Sequence, residues 1–240
     1  MNMKDYTIGV SVICMDHIRF YDHVKMVEDL GVDYLHLDIM DGHFVPRYGI
    51  YPEIVERICD ITDIKMDLHL MVSDPEFALD QFADVIPKME YVNFHIDAVG
   101  GNAARVCDKI QAMGSKSGVA LNLSSSFESA RRLHRNGYIQ SVVFMGIHPG
   151  VLKQTPKQQN LIHGDIYESQ LTSLDFIQVD GGVQLNSTAY DLRQAGINNF
   201  VCGSSTIYKN VSFNDDLKDQ FAKMHSNINH FRNILNGIRL

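Results

Sequence analysis

His36, Asp38, His69 and Asp180 are the residues whose types and spacing could do chemistry. They sit in His36-Leu37-Asp38-Ile39-Met40-Asp41-Gly42, Asp67-Leu68-His69-Leu70-Met71 and Val179-Asp180-Gly181-Gly182, each at the end of a short apolar run. Residues two apart on an extended strand share a face, so His36 and Asp38 point the same way. A carboxylate turned into an apolar interior is costly unless it is paired or coordinates a metal. Either histidine alone reads as an ordinary core histidine. Together, two imidazoles and two carboxylates converging at strand ends make a divalent-metal site, with an N/O donor set that suits Zn, Fe, Mn or Co. Asp38 and Asp180 lie on different strands. Such a pair can remove a proton from one face of a substrate and deliver one to the other. A cation beside them would stabilise an enediolate between those steps.

Two further groups flank these residues. Gly181-Gly182 and Gly203-Ser204-Ser205 follow the last two strand candidates. In a (β/α)8 barrel that is the usual place for a phosphate, held by backbone N–H groups and a short helix N-terminus. Met40, Met71 and Met145 each fall at or just after a strand end. They read either as packing or as an apolar, water-poor floor beside reacting carbons.

The elements that must position these residues recur along the chain. The strand candidates are Ile8–Ile13, Tyr34–Ile39, Lys65–Met71, Tyr91–His95, Gly118–Leu121, Ser141–Met145, Asp175–Val179 and Asn199–Cys202. They hold Val, Ile, Tyr, Phe and Leu, as buried parallel strands do. Between them, Ile18–Leu30 and Ala103–Met113 carry apolar residues at helical spacing. Gly31, Gly114, Gly137 and Gly196 stand where left-handed helix caps are needed. The sixth unit is the weakest: Lys153–Asn160 is polar, and a helix rests only on Ile162, Ile166 and Leu171. Alternating strands and helices predict a parallel sheet with right-handed crossovers. An open doubly wound sheet would carry a glycine-rich loop after the first strand, where this chain has Ser11-Val12-Ile13-Cys14-Met15. The expected fold is therefore α/β, a single-domain (β/α)8 TIM barrel over residues 1–240.

Composition narrows the function. The chain has 240 residues with 45% hydrophobic and 21% charged, ordinary for a globular protein. Its formal net charge of −8 argues against general nucleic-acid binding. Cys14, Cys59, Cys107 and Cys202 form no CxxC pair and are expected to be buried or half-buried thiols of a reducing compartment. No secretory signal opens the chain, and no stretch approaches the roughly 20 apolar residues of a membrane span. The expected location is the cytoplasm.

Residues 36–46, His36-Leu37-Asp38-Ile39-Met40-Asp41-Gly42-His43-Phe44-Val45-Pro46, closely resemble the signature of the ribulose-phosphate 3-epimerase family. Asp67–Val72 and Val179–Val183 resemble its second and third signatures. With Ser11, Phe94-His95, Met145, Pro149-Gly150 and Gly203-Ser204, the resemblance covers roughly residues 8–210. It implies a TIM barrel that epimerises C3 of a phosphorylated ketose, ribulose 5-phosphate to xylulose 5-phosphate. It also implies one divalent cation on His36, Asp38, His69 and Asp180, with Asp38 and Asp180 as the acid/base pair. Ser11, His69, Gly150 and the three methionines would contact the substrate, and Gly182, Gly203 and Ser204, beside Gly181, would hold the phosphate. A homo-oligomer is expected, with neither nucleic acid nor membrane as partner.

The chain departs from the family pattern at Val10, where a proline is usual, and at Arg47, where an asparagine is usual. Two usual glycines after strand six are Leu152 and Lys153, so the phosphate grip is altered there. Three further readings follow: an allulose-6-phosphate or other ketohexose-phosphate 3-epimerase, a weakly active or non-catalytic sugar-phosphate-binding barrel, and a metal-dependent aldolase. A lysine Schiff base is disfavoured, because no strand-end lysine faces the site.

Overall fold

Every apolar run becomes a strand. The computed structural model describes residues 6–151, 166 and 169–238. Its strands are β1 (Thr7–Ser11), β2 (Tyr34–Met40), β3 (Lys65–Met71), β4 (Tyr91–His95), β5 (Lys116–Leu121), β6 (Ser141–Met145), β7 (Phe176–Asp180) and β8 (Asn199–Cys202). All neighbours are parallel, and β1 pairs with β8 to close the barrel. The described helices are α1 (Phe20–Asp29), α2 (Pro52–Ile61), α3 (Pro75–Gln81), α4 (Ala103–Ala112), α5 (Phe127–Arg135), α6 (Thr188–Gln194) and α7 (Leu217–Leu235). Gly31, Gly114, Gly137 and Gly196 all take positive φ after their helices, as caps.

Six strand ends differ from the expectation. β1 begins at Thr7 rather than Ile8, β2 ends at Met40 rather than Ile39, and β7 begins at Phe176 rather than Asp175, each a shift of one residue. β1 stops at Ser11 rather than Ile13, because Val12–Cys14 tighten into a 3-10 turn. β7 runs on to Asp180, which pairs with Met145 of β6, instead of ending at Val179. β5 begins at Lys116 rather than Gly118. The expected sixth helix at Lys153–Asn160, with Ile162, lies outside the described residues; Ile166 and Leu171 are buried.

Period-two alternation sorts each strand into two environments. On β2, Leu35, Leu37 and Ile39 pack outward into the core beneath the helices. On β3, Leu68 and Leu70 do the same. The alternate residues fill the barrel itself, as in a packed TIM interior. Tyr34, Tyr91 and Phe176 form one aromatic cluster, the last two stacked at 4.4 Å. Fully buried Asp67, Asn93, Ser141, Gln178 and Asn199 form a polar group in the same interior. Gln178 Nε2 donates to Asp67 Oδ2 at 3.3 Å and to Asn199 Oδ1 at 2.8 Å. Asn199 Nδ2 donates on to Thr7 Oγ1 at 2.7 Å. These bonds satisfy part of the group, while Asp67 Oδ1, Asn93 Nδ2 and Gln178 Oε1 are buried without a hydrogen-bond partner among the described residues.

Candidate metal and acid–base centre

The β2–β3 register sets the geometry. Asp38 lies beside His69, and His36 beside Asp67, across a seven-residue parallel ladder. His36 Nε2 and His69 Nδ1 face each other at 3.2 Å. Asp38 Oδ1 is 3.3 Å from the first and 3.5 Å from the second. Asp180 Oδ2 arrives from β7, at 3.8 Å from His36 Nε2 and 3.5 Å from His69 Nδ1. One ligand atom from each of the four residues falls within 4.8 Å of all the others.

Those spacings fit a metal ion. Four N/O ligands about 2.1 Å from a tetrahedral centre stand about 3.4 Å apart, close to the separations here. The chemistry fits as well, since four lone-pair-bearing atoms converge on one point inside a low-dielectric barrel. The residues beneath them hold the imidazoles in place. His36 Nδ1–H donates to Asp67 Oδ2 at 2.7 Å, both residues fully buried. His69 Nε2 meets His95 Nε2 at 3.0 Å, and the two rings stack at 5.0 Å between centroids. Phe44 lies against the His95 ring, with centroids 4.9 Å apart. Hydrogen bonds to the far nitrogen of a ligating imidazole fix its tautomer and orientation.

The electrostatics follow from burial and neighbours. Burial alone would push the imidazolium form of His36 out, yet the carboxylates of Asp67 and Asp38 raise its pKa well above the usual histidine value. His69 is raised as well, against its burial, by hydrogen bonds to Asp180 and Asp38. Burial would raise Asp38 too, but the adjoining imidazoles hold its carboxyl well below the usual carboxylate range. His95 goes the other way: burial and then the charge on His69 keep it neutral. A neutral His95 can accept the proton that His69 Nε2 offers.

Above the four groups lies one cavity at the C-terminal end of the barrel. Its lining includes Ser11, Asp38, Met40, Met71, Met145, Gly150, Asp180, Gly181, Gly182, Gly203 and Ser204. The described residues expected to hold the metal, the sugar or the phosphate are therefore at this mouth or, for His36 and His69, fully buried in the centre that Asp38 and Asp180 share; Leu152 and Lys153 lie outside the described residues. Ser11 Oγ donates to Asp38 Oδ2 at 2.7 Å, leaving Oδ1 toward the histidines. Met40 packs with Met71 and Val45, while Met145 packs with Ala120 and Val143. Gly181 and Gly182 take φ of +86° and +70°. A Cβ on Gly181 would stand 2.4 Å from Ile147 Cγ1, so no larger residue fits this turn unstrained.

Sequence reasoning passed over several residues. Asp67 was legible: it is two residues from His69 on one strand and so shares its face. His95 carried a weaker signal, a histidine at a strand end without a partner in sight. Gln178 and Asn199 carried none, because their partners are 111 and 192 residues away. Arg47, noted in the sequence only as a departure from the family pattern, lines the cavity too, as do Cys14 of the 3-10 turn and Ile147.

Fold and site together define a class: a parallel (β/α)8 barrel with a histidine–aspartate centre at its catalytic face. Solved structures of low identity agree on the fold. The tryptophan synthase alpha chain of Legionella pneumophila superimposes with a TM-score of 0.68 at 14% identity, covering 97% of this chain and 92% of that one. Phosphoribosylanthranilate isomerase of Thermotoga maritima does so with a TM-score of 0.58 at 16% identity, covering 97% and 99%. The model of the ribulose-phosphate 3 epimerase family matches residues 7–208, and the chain belongs to that family. Among its relatives, the ribulose-phosphate 3-epimerase of Methanocaldococcus jannaschii is 29% identical over 220 residues, 88% of this chain and 86% of that protein. The Bacillus subtilis ribulose-phosphate 3-epimerase is 30% identical over 204 residues, 82% and 90%. Among the described residues, no helix is long and apolar enough to cross a membrane.

Proposed function

We propose that this protein is a divalent-metal-dependent ketose-phosphate 3-epimerase, an isomerase that interconverts ribulose 5-phosphate and xylulose 5-phosphate. The observation that carries the reading is the convergence of Asp38 and Asp180 on one histidine pair at the floor of one cavity. The C3 proton of a 2-ketose is acidified by the neighbouring carbonyl, and its removal gives a planar enediolate. One aspartate takes that proton, and the other returns a proton to the opposite face, inverting C3. Bound by His36, Asp38, His69 and Asp180, a divalent cation (Zn, Fe, Mn or Co) supplies Lewis-acid stabilisation of the charge that develops on the sugar oxygens. Ser11 orients the Asp38 carboxylate. Met40, Met71 and Met145 keep water from the reacting carbons, and Gly150 flanks the sugar. Gly181, Gly182, Gly203 and Ser204 cradle the phosphate with backbone amides. The same reading takes residues 1–240 as one domain that self-associates and works in the cytoplasm.

The test is solvent deuterium wash-in at C3 across ketopentose and ketohexose phosphates, with defined metals. Incorporation into ribulose 5-phosphate, and its loss in both Asp38→Asn and Asp180→Asn, is the expected result. Near-normal turnover in either variant would overturn the two-aspartate scheme. Full turnover by protein with no bound metal in elemental analysis would overturn the cation's part in it. Preferential wash-in to a ketohexose 6-phosphate would move the substrate to the longer sugar, a reading favoured by the altered residues Arg47, Leu152 and Lys153.

A further inference from the structure

Arg47 lines the same cavity as Asp38, Met40 and Asp180. Among the described lining residues it is the one cation. Its side chain is half-buried and has no hydrogen bond or ion pair among the described residues. A half-buried guanidinium without a protein partner, facing a cavity, is free to receive an anionic group of a ligand.

The loop that carries it is rigidly made. Gly49 N donates to Met40 O and Ile50 N to Asp38 O, each at 3.1 Å, so the loop returns along the end of β2. Gly42 N donates to Arg47 O at 3.1 Å, and Arg47 N donates to Val45 O at 2.8 Å. The Asp41 carboxylate accepts from the amides of His43 and Phe44 at 2.8 Å and of Ser73 at 2.7 Å. The neighbouring Val45 also abuts the β6 loop: a Cβ built on Gly150 would stand 2.6 Å from Val45 Cβ. The loops after β2 and β6 therefore meet at the mouth, with the Arg47 backbone fixed by its own hydrogen bonds. Pre-organisation of this kind lowers the entropic cost of gripping a ligand.

We infer that Arg47 is a substrate-binding and specificity residue that grips the phosphate of the ketose, complementing the neutral amides after β7 and β8. This rests on the phosphoketose reading above. A phosphate ester brings about −1.5 to −2 charges at neutral pH. Asp38 and Asp180 line the same cavity, and amide dipoles alone carry no net charge to offset that dianion. A guanidinium does, and its planar fork matches two phosphate oxygens at once. The alternative is a solvated rim charge that never touches the substrate.

The metal-loaded full-length protein decides between them through Arg47→Gln and Arg47→Lys. Arg47→Gln is expected to raise KM for ribulose 5-phosphate roughly 10- to 100-fold, the range of a charge-assisted contact. Its kcat/KM ratio of phosphorylated over unphosphorylated ribulose is expected to fall by the same factor. Arg47→Lys, which keeps the charge but loses the fork, is expected to fall between. Inorganic phosphate, as a direct probe, is expected to compete with substrate and to raise the wild-type Tm, with both effects weakened in Arg47→Gln. An unchanged KM and unchanged phosphate competition would overturn the inference. So would an equal loss on both sugars, which would make Arg47 a scaffold residue of its loop. If the wild type epimerises no ketose phosphate, the functional reading fails; phosphate binding that depends on Arg47 would still support the anion site.

Discussion

Replacing Asp67 by Asn tests whether the residues under the centre do more than fill space. Asp67 is fully buried, and its Oδ2 is 2.7 Å from His36 Nδ1. An amide of nearly the same shape can still accept the His36 Nδ1–H bond through its oxygen, so packing is preserved while the charge is lost. Asp67 also accepts from Gln178 Nε2, and that bond competes for the same amide oxygen. Losing such a partner typically weakens metal binding about 10- to 100-fold, or about 1.4–2.8 kcal/mol. The same change turns a charge-assisted bond worth roughly 1.5–3 kcal/mol into a neutral one worth roughly 0.5–1.5 kcal/mol. The assay is titration of metal-free protein with Co(II), followed by its visible absorption and by elemental analysis after dialysis. Circular dichroism verifies that the variant is folded. A Co(II) dissociation constant within about twofold of the wild type in folded Asp67→Asn would refute the claim that Asp67 tunes His36 as a ligand.

Other consequences can be checked directly. His95→Leu strands the His69 Nε2 proton in the interior, and an unpaired buried donor costs about 1–3 kcal/mol; equilibrium urea unfolding measures it, and unchanged stability would show that the His69–His95 contact contributes nothing. Gly181→Ala forces a Cβ onto a positive-φ position 2.4 Å from Ile147. At roughly 1–2 kcal/mol for the backbone alone, the Tm should drop by roughly 2–8 °C, read by calorimetry. Cys107 and Cys202 have thiol pKa values pushed up to about 12 by burial. They stay protonated at pH 8, so both should resist iodoacetamide in the native protein and react once it is unfolded. Rapid native labelling of either, read by peptide mass spectrometry, would contradict their burial.

Local pattern made the barrel legible. Parallel strands buried on both faces need near-continuous apolar runs, and all eight runs became strands. The free thiols at Cys14, Cys59, Cys107 and Cys202 also match the expectation drawn from their spacing. Strand ends were less legible, because backbone hydrogen bonding rather than hydrophobicity terminates a strand. Val12 and Ile13 are as apolar as a strand requires, yet they turn into a 3-10 helix and leave Ser11 at the tip facing Asp38.

The sequence by itself determined the repeating strand–helix order and placed His36, Asp38, His69 and Asp180 at strand ends, since alternation along a strand needs only neighbouring residues. It also showed that His36 and Asp38 share a face. Tertiary structure alone decided that Asp180, more than 140 positions along the chain from Asp38, reaches the same histidine pair. It alone set His95 against His69, linked Asp67 to Gln178 and Asn199, and turned Arg47 to the cavity. The physical reason is barrel closure: the register between strands fixes which side chains share a level inside, and register is a property of pairs of strands.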